Sequence, residues 1–191
     1  MGTSVNLCRA LLRLLSYGVL VDIAPAAFAH PIQAPPPAYG IAARQAGVPS
    51  EVLFAVALQE SGVMLRGQRL PWPWALNVAG AAHYFTNQTE ACRTLLLALK
   101  QHPATRIDAG LAQINLGYQE RFYRHPCELL IPHRNLAIAA KILREQYRPG
   151  EGWLEAVGRY HRPAGGPLAA SYRHSVSKHM NQLTVARSKQ P

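Results

Sequence analysis

The sequence predicts a mainly α-helical domain of the α+β class, with a minor β element. Apolar residues recur at helical spacing in two separated stretches, 52–60 and 136–147, and this pattern is typical of helices that bury one face. Between them, the stretch 62–82 is rich in Gly, Pro and Trp, which disfavours a helix. With 191 residues, of which 49% are hydrophobic, the chain is long enough for one compact domain and short for two.

Residues 1–29 have the pattern of a cleaved export signal. Two arginines precede an apolar stretch at 14–21, and the small-x-small segment 27–29 comes just before His30. These are the basic, apolar and cleavage-site regions of a signal peptide. The alternative, an uncleaved membrane anchor, is disfavoured because the apolar stretch is short and Asp22 follows it. We therefore expect export to the periplasm and no stable anchor after cleavage.

The remaining chain divides into a proline-rich segment at 30–38, a domain at 39–185 and a basic tail at 186–191. The domain is predicted to begin with a short helix at 39–46, because the Gly-Val-Pro segment at 47–49 ends it.

The most apolar stretch of the chain follows Ser50 and stops at Gly62. Ser50 is expected to cap this second helix. The Leu-Pro-Trp-Pro-Trp segment at 70–74 is expected to form a loop or wall, since its two prolines exclude a helix. Its tryptophans suit two roles equally: stacking on sugar faces, or covering the core.

Asn87, with Glu90 three residues later, resembles a capping arrangement and predicts a helix through Lys100. Short extended pieces are expected before and after it, at 83–85 and 105–108. Beyond them, Asn135 is expected to be the N-cap of the helix that carries the second apolar stripe. Two further helices are predicted at 151–160 and 168–183.

Glu60 is the residue that most needs an explanation. On a helix, Leu53, Val56, Ala57 and Glu60 lie on one stripe, so the carboxyl group projects from the same face as core residues. Partial burial would raise its pKa and keep it protonated near neutral pH, as a general acid requires. The alternative is a solvated glutamate at a helix end, just before Gly62.

The cysteines leave two alternatives open. Cys8 lies within the predicted signal, so the mature chain keeps Cys92 and Cys127. A pair of cysteines in an oxidising compartment favours a disulfide, while two buried free thiols are the alternative.

The formal net charge of +10 is spread along the chain without a dense cluster. Because no basic ribbon with interleaved aromatic residues is present, specific nucleic-acid binding is not predicted. The eight histidines show no ligand spacing, so no metal site is expected. A polyanionic surface such as the cell wall is one partner for the charge, and a solvated coat is the alternative.

Four segments together resemble a known enzyme family. They are Glu-Ser-Gly at 60–62, Gly-Leu-Ala-Gln-Ile-Asn at 110–115, Asn-Leu at 135–136 and Gly-Arg-Tyr-His at 158–161. In this order they resemble lytic transglycosylases of the soluble-transglycosylase type, which have a lysozyme-like fold. That family includes the wall-opening enzymes of conjugation and type IV secretion systems. The resemblance covers about residues 39–172.

The resemblance implies a peptidoglycan-cleaving enzyme without a cofactor. Its substrate would be the glycan strand, cut between N-acetylmuramic acid and N-acetylglucosamine. By the family pattern, Glu60 becomes the sole catalytic acid, Gln113 lines the groove and Tyr160 completes the site. Components of a conjugation or type IV secretion apparatus would be its protein partners.

The chain departs from the family pattern at three places. Ala112 stands where methionine is usual, and His161 stands where asparagine is usual. The family segment with a serine soon after the glutamate is replaced by 66–80, so we assign orientation of the substrate's acetamide to Asn77. Ser61 is a further candidate for substrate contact, with local capping of the helix end as the alternative.

Glycoside cleavage usually takes two carboxyl groups. After the signal, Asp108 is the only aspartate, and the other glutamates occupy polar or helix-surface contexts. A single acid suffices if the substrate's own N-acetyl group attacks the anomeric carbon. Glu60 would then protonate the glycosidic oxygen and later take a proton from the muramoyl 6-hydroxyl, which leaves a 1,6-anhydro end.

Two other hypotheses compete with this one. A lysozyme-type hydrolase would use Asp108 as its second carboxylate. A non-catalytic wall-binding or assembly subunit would keep the fold and use its positive charge for docking.

Overall fold

The computed structural model describes residues 34–188, and within that range the fold is mainly α with two small antiparallel sheets, as predicted. The predicted signal at 1–29 lies outside the described residues, as do the first part of the proline-rich segment and residues 189–191. The helices are α1 Pro37–Ala46, α2 Ser50–Ser61, α3 Gln88–Ala98, α4 Pro132–Gln146, α5 Trp153–His161 and α6 Pro167–Ser188. The strands are β1 Gly62–Leu65, β2 Gln68–Pro71, β3 Ala75–Val78, β4 Ala81–Tyr84, β5 Ile107–Ala109 and β6 Ile114–Asn115. Short 3₁₀ segments lie at Ala104–Arg106, Glu120–Phe122 and Pro126–Leu130.

Helix α2 lies at the centre of the fold. It packs against α1, α4, α5 and α6, and its next neighbours along the chain are the strands β1 and β2. Its residues Val52 to Leu58 are all at most 3% exposed, which explains why this helix is apolar on every side. The site residue at its end, Glu60, is therefore held by the most deeply buried element of the described chain.

Two small sheets occupy most of the stretch 62–82, and the loop expected at 70–74 is confined to residues 72–74, between β2 and β3. Strands β1 and β2 form a hairpin, and β4, β3, β5 and β6 form a four-stranded antiparallel sheet in that spatial order. Each hairpin closes with two residues of positive φ, Arg66-Gly67 and Ala79-Gly80. Such pairs match the right-handed twist of the strands they join. The segment is not helical, as predicted, but most of it is strand.

Three helix starts differ from expectation. Helix α1 begins at Pro37, two residues early, because proline is favoured in a first turn. Ser50 is the first residue of α2 and not its cap: its Oγ donates to Glu51 Oε2, while Pro49 occupies the cap position. Helix α4 begins at Pro132, which places Asn135 inside the helix.

Other predicted elements lie where they were expected. Asn87 Oδ1 accepts a hydrogen bond from the backbone N–H of Glu90 at 3.0 Å, so this residue caps α3 as predicted. Strand β5 overlaps the second half of the extended piece expected at 105–108, while the first half lies in the 3₁₀ turn Ala104–Arg106. Helix α6 continues to Ser188, into the segment assigned to a tail.

Cys92 and Cys127 form a disulfide, with an S–S distance of 2.01 Å and Cα atoms 5.2 Å apart. It joins α3 to the 3₁₀ segment Pro126–Leu130, which leads into α4.

Across residues 34–188, no single helix has both the length and the apolar composition to cross a membrane; α1 and α2 meet that test only as a pair, bent by 116°.

Candidate active site

Glu60 lies at the C-terminal end of α2, on the same side of the helix as Leu53, Val56 and Ala57, which are completely buried. The glutamate itself keeps part of its surface exposed. The apolar stripe thus reaches the surface at a carboxyl group, which is where a solvent-borne ligand can meet it.

Tyr172 is the direct partner of this carboxyl group. Its Oη donates a hydrogen bond to Glu60 Oε1 at 2.5 Å, from a position on α6 that is only 7% exposed. Sequence reasoning did not find this residue. Its signal was present, because Tyr172 shares a buried stripe with Ala169 and Val176, and a buried tyrosine hydroxyl needs a polar partner.

Burial raises the pKa of Glu60 from its ordinary 4.5 to about 7. The hydrogen bond from Tyr172 opposes this shift because it stabilises the ionised carboxylate, while the negative charge of Asp108 adds to it. Glu60 therefore exchanges between its protonated and ionised forms near neutral pH. A carboxylic acid in this state can both give and take a proton.

Tyr160 also lies close to Glu60. Burial, and to a smaller extent the charges of Glu60 and Asp108, raise the pKa of Tyr160 well above its ordinary value, so the phenol stays neutral. Its Oη donates to the backbone carbonyl of Ala112 at 2.7 Å. The predicted residue is thus in the site, but its proton is directed to the loop 110–113 and not to Glu60.

Ser61 holds the same loop from the other side. Its Oγ donates to the Leu111 carbonyl at 2.6 Å and accepts from the Trp72 N–H at 3.2 Å, and the residue is 1% exposed. The same Oγ lies within hydrogen-bond distance, 3.3 Å, of the Ala57 carbonyl one turn earlier in α2, so a local contact at the helix end accompanies these two tertiary ones. They also leave Ser61 almost no surface with which to touch a substrate.

Gln113 fixes the loop to the sheet. Its Nε2 donates to the carbonyls of Ala75 and Gly110, at 3.2 and 2.9 Å, and its own backbone has a φ of +45°. Both amide hydrogens are committed, while its Oε1 has no donor among residues 34–188. Gln113 can therefore offer a ligand only an acceptor.

The buried side chain of Asn135, in α4, holds the backbone of the loop 110–113 and its neighbours. Its Oδ1 accepts from the Ala112 N–H, and its Nδ2 donates to the carbonyls of Ala109 and Leu129. Gly110 must be glycine here, since its φ is +81° and a Cβ would lie 2.3 Å from Asn135 Nδ2. The side chain expected to cap a helix instead organises the backbone next to Glu60.

Asn77 and Asp108 lie on the sheet, directly opposite each other on β3 and β5. Asp108 Oδ1 accepts from Asn115 Nδ2 at 2.8 Å, and Asn77 Oδ1 accepts from the Gly80 N–H at 2.9 Å. Burial raises the pKa of Asp108, against the effect of the Asn115 hydrogen bond. Its negative charge adds to the effect of burial on the pKa of Glu60.

His161 stacks on Tyr172, with the ring centroids 4.4 Å apart and the planes within 4° of parallel. Burial and the neighbouring Arg162 lower the pKa of His161, so the imidazole is neutral at pH 7. The residue that replaces the family's asparagine therefore packs on the tyrosine that binds Glu60.

Trp72 and Trp74 are both partly buried and contact each other edge to face, with ring centroids 6.1 Å apart. Trp72 Nε1 donates to the Phe85 carbonyl at 2.8 Å. Trp74 packs against the core, and its Nε1 is buried without a hydrogen-bond partner among residues 34–188. This arrangement supports a covering role for Trp74 and leaves part of Trp72 accessible.

No group of three or more His, Cys, Asp or Glu side chains in the described part of the chain is placed to hold a metal ion. No protein-family model, curated protein or solved structure matches the chain. The resemblance to lytic transglycosylases therefore stays a prediction from the four sequence segments.

Proposed function

We propose that the protein is a peptidoglycan lytic transglycosylase in which Glu60 acts first as acid and then as base. The observation that carries this proposal is a partly exposed carboxyl group whose pKa of about 7 lets it serve in both roles at neutral pH. The four sequence segments that resemble this family supply the substrate class. Export to the periplasm, where peptidoglycan lies, belongs to the same proposal.

In the first step, protonated Glu60 gives its proton to the glycosidic oxygen as the bond from that oxygen to the muramoyl anomeric carbon breaks. The acetamide oxygen of the same sugar bonds to the anomeric carbon and takes up the developing positive charge. Tyr172 donates to the carboxylate that remains on Glu60. This hydrogen bond stabilises the charge that appears as the proton leaves.

In the second step, ionised Glu60 takes the proton of the muramoyl 6-hydroxyl. The 6-oxygen then bonds to the anomeric carbon, the acetamide oxygen leaves it, and a 1,6-anhydro end results. Glu60 returns to its protonated form. No second carboxylate is required.

A hydrolase is the second candidate, and one observation favours it. The charge of Asp108 adds to the effect of burial in raising the pKa of Glu60. A second carboxylate near the acid is what a two-acid glycosidase needs to activate water or to attack the sugar.

Digestion of purified sacculi in ¹⁸O-labelled water separates the two candidates. We expect soluble fragments with 1,6-anhydro-muramoyl ends and no incorporated label. Labelled reducing ends would support the hydrolase instead. The Glu60→Gln variant should fold normally and lose about 100- to 10,000-fold in activity, the range for removal of a general acid or base.

A wall-binding subunit without activity is tested by the same preparation. Sacculi that sediment with the wild-type protein but release no fragments would replace the enzymatic proposal. If activity is found, we further propose that it opens the wall for a conjugation or type IV secretion apparatus. Co-purification with the subunits of such an apparatus from crosslinked cells tests that role.

A further inference from the structure

The face of the four-stranded sheet that points away from the core carries a row of polar side chains. Along β5, Ile107 and Ala109 are fully buried while Asp108 between them is partly exposed. Asn115 in β6 is likewise partly exposed between the buried Ile114 and Leu116, and Asn77 in β3 is partly exposed next to the buried Leu76. Strand register places Asn77 opposite Asp108, and Asp108 opposite Asn115.

The hydrogen bonds within this row use only half of the polar groups of Asn77 and Asp108. Asn115 directs its Nδ2 to Asp108 Oδ1 and to the Thr105 carbonyl, while its Oδ1 accepts two backbone N–H groups. Asn77 Oδ1 is held by Gly80. Among residues 34–188, Asp108 Oδ2 therefore has no donor and Asn77 Nδ2 has no acceptor.

Among the described residues, an unused acceptor and an unused donor thus belong to two partly exposed residues that are paired on neighbouring strands. Side chains directly opposite each other in an antiparallel pair have Cβ atoms about 5 Å apart. On the other side of Asn77, the β4 partner is Ala82, whose methyl group covers little. Tyr84, two residues on and on the same face, is 52% exposed.

We propose that Asn77 and Asp108 bind a secondary amide, the acetamido group of an amino sugar, with Asp108 accepting its N–H and Asn77 donating to its carbonyl. A secondary amide carries one donor and one acceptor, which is the complement of this pair. The carboxylate makes one of the two bonds charge-assisted and so the stronger. The inference rests on the proposed function for the sugar, and it adds Asp108 as a binding residue rather than a second catalytic acid.

The partial burial of Asp108 supports this use. Burial that raises its pKa shows that the carboxylate is held in a site where its charge is incompletely solvated. A hydrogen-bond donor from a ligand would give the Asp108 carboxylate a second partner, since Asn115 bonds only to its Oδ1. Peptidoglycan strands and chitin oligomers both carry this acetamido group, while cellulose oligomers have a hydroxyl in its place.

The test measures the preference for the acetamido group in a Glu60→Gln background, which prevents turnover. Chitotetraose and cellotetraose are titrated by calorimetry at the same pH and salt concentration. We expect chitotetraose to bind at least tenfold more tightly, because a site built around hydrogen bonds rejects a ligand that lacks them.

Two isosteric variants then remove one partner each. Asp108→Asn can still accept from Asn115 through its oxygen, so it turns an NH₂ group outward where an acceptor was. Asn77→Asp can still accept from Gly80 and turns an acceptor outward where a donor was. Each should lower the preference for chitotetraose roughly tenfold, the effect of one mismatched buried hydrogen bond. Cellotetraose binding should not change.

Glu145→Gln is the matched control, since it replaces a carboxylate by an amide on α4, where Glu145 pairs with Arg121 at the surface. It should leave both affinities unchanged. An unaltered preference in both site variants would overturn the proposal, as would equal weakening of both sugars. So would competition by N-acetylalanine methylamide as strong as that by chitotetraose, which would make the ligand a peptide.

The outcome is separable from that of the proposed function. If Glu60→Gln cleaves sacculi as well as the wild-type protein, the assignment of Glu60 fails while the binding preference still stands or falls by the titrations. If the preference for chitotetraose over cellotetraose is absent, the proposed role of Glu60 in cleavage is not affected.

Discussion

Two groups of polar side chains lie around the loop 110–113. One group makes its hydrogen bonds within the protein, whereas the other keeps polar atoms that have no partner in the described chain. Ser61 and Asn135 are at most 1% exposed, and their hydrogen bonds go to protein backbone. We call Ser61 and Asn135 the scaffold group. Its members hold the loop in place.

Glu60, Asp108 and Asn77 retain polar atoms that nothing in the described chain satisfies, and all three are partly exposed. We call these residues, together with Tyr172, the reactive group. A polar atom that loses water on folding without gaining a hydrogen bond lowers stability. Such atoms are retained where a ligand uses them. Loss of a scaffold residue should therefore reduce stability, whereas loss of a reactive residue should change chemistry.

The largest effect is expected for the disulfide that supports the scaffold group. Replacing Cys92 and Cys127, which are 35 residues apart, by serine should lower the free energy of unfolding by about 4 kcal/mol on the chain-entropy account. Denaturant unfolding measures this. At a temperature where the variant is folded, its activity should match the wild type, and a large loss of activity would place the bond in the reactive region.

Asn135→Ala is expected to lower the free energy of unfolding by about 3 kcal/mol, because it leaves buried backbone groups of the loop without partners. Asn77→Ala is the matched control, since Asn77 is a partly exposed asparagine whose oxygen accepts from Gly80 at the surface. It should lower stability by about 1 kcal/mol or less. Equal losses in the two variants would erase the distinction between the groups.

Glu60→Gln should stabilise the protein while it abolishes activity. The folded-state pKa of Glu60 is about 7, against an ordinary value of 4.5. The folded state therefore binds the proton more tightly, and this contribution to stability is lost as pH rises from 4.5 to 7. Above pH 7 the variant should be more stable by about 2 kcal/mol, allowing for the partial exposure of the site. Below pH 4 the difference should vanish.

Two variants should move the pH profile of kcat/KM in opposite directions. Tyr172→Phe removes a hydrogen bond that lowers the pKa of Glu60, so the alkaline limb should move to higher pH, with about a tenfold loss at the optimum. Asp108→Asn removes a charge that raises the same pKa, so that limb should move to lower pH. Shifts of the same sign would contradict the geometry of the site.

The helices were predictable because their signals are local. Asn87 and Glu90 sit three residues apart and cap α3 as expected, and the apolar stripes of α2 and α4 are complete in the sequence. The three strands between Gly62 and Val78 were missed because each has only four residues, whereas the extended piece expected at 83–85 overlaps β4. Their turns also use Arg66 and Ala79 where asparagine or aspartate is usual.

The site was predictable only in part. Glu60 stood out because a carboxyl group on a buried stripe is unusual. Asn135 was misassigned because its partners, Ala109 and Ala112, lie more than 20 residues away along the chain. Tyr172 was not singled out, because the role of its hydroxyl becomes visible only once α6 is packed against α2.

The central claim is that Glu60 is a carboxylic acid poised to be protonated at neutral pH. The direct measurement is a carboxyl-carbon NMR titration of ¹³C-labelled protein, with the Glu60 signal assigned by its absence in Glu60→Gln. We predict a midpoint at about pH 7. A midpoint at the ordinary 4.5 would mean that Glu60 is a solvated carboxylate at neutral pH, and the proposed role as proton donor would be contradicted.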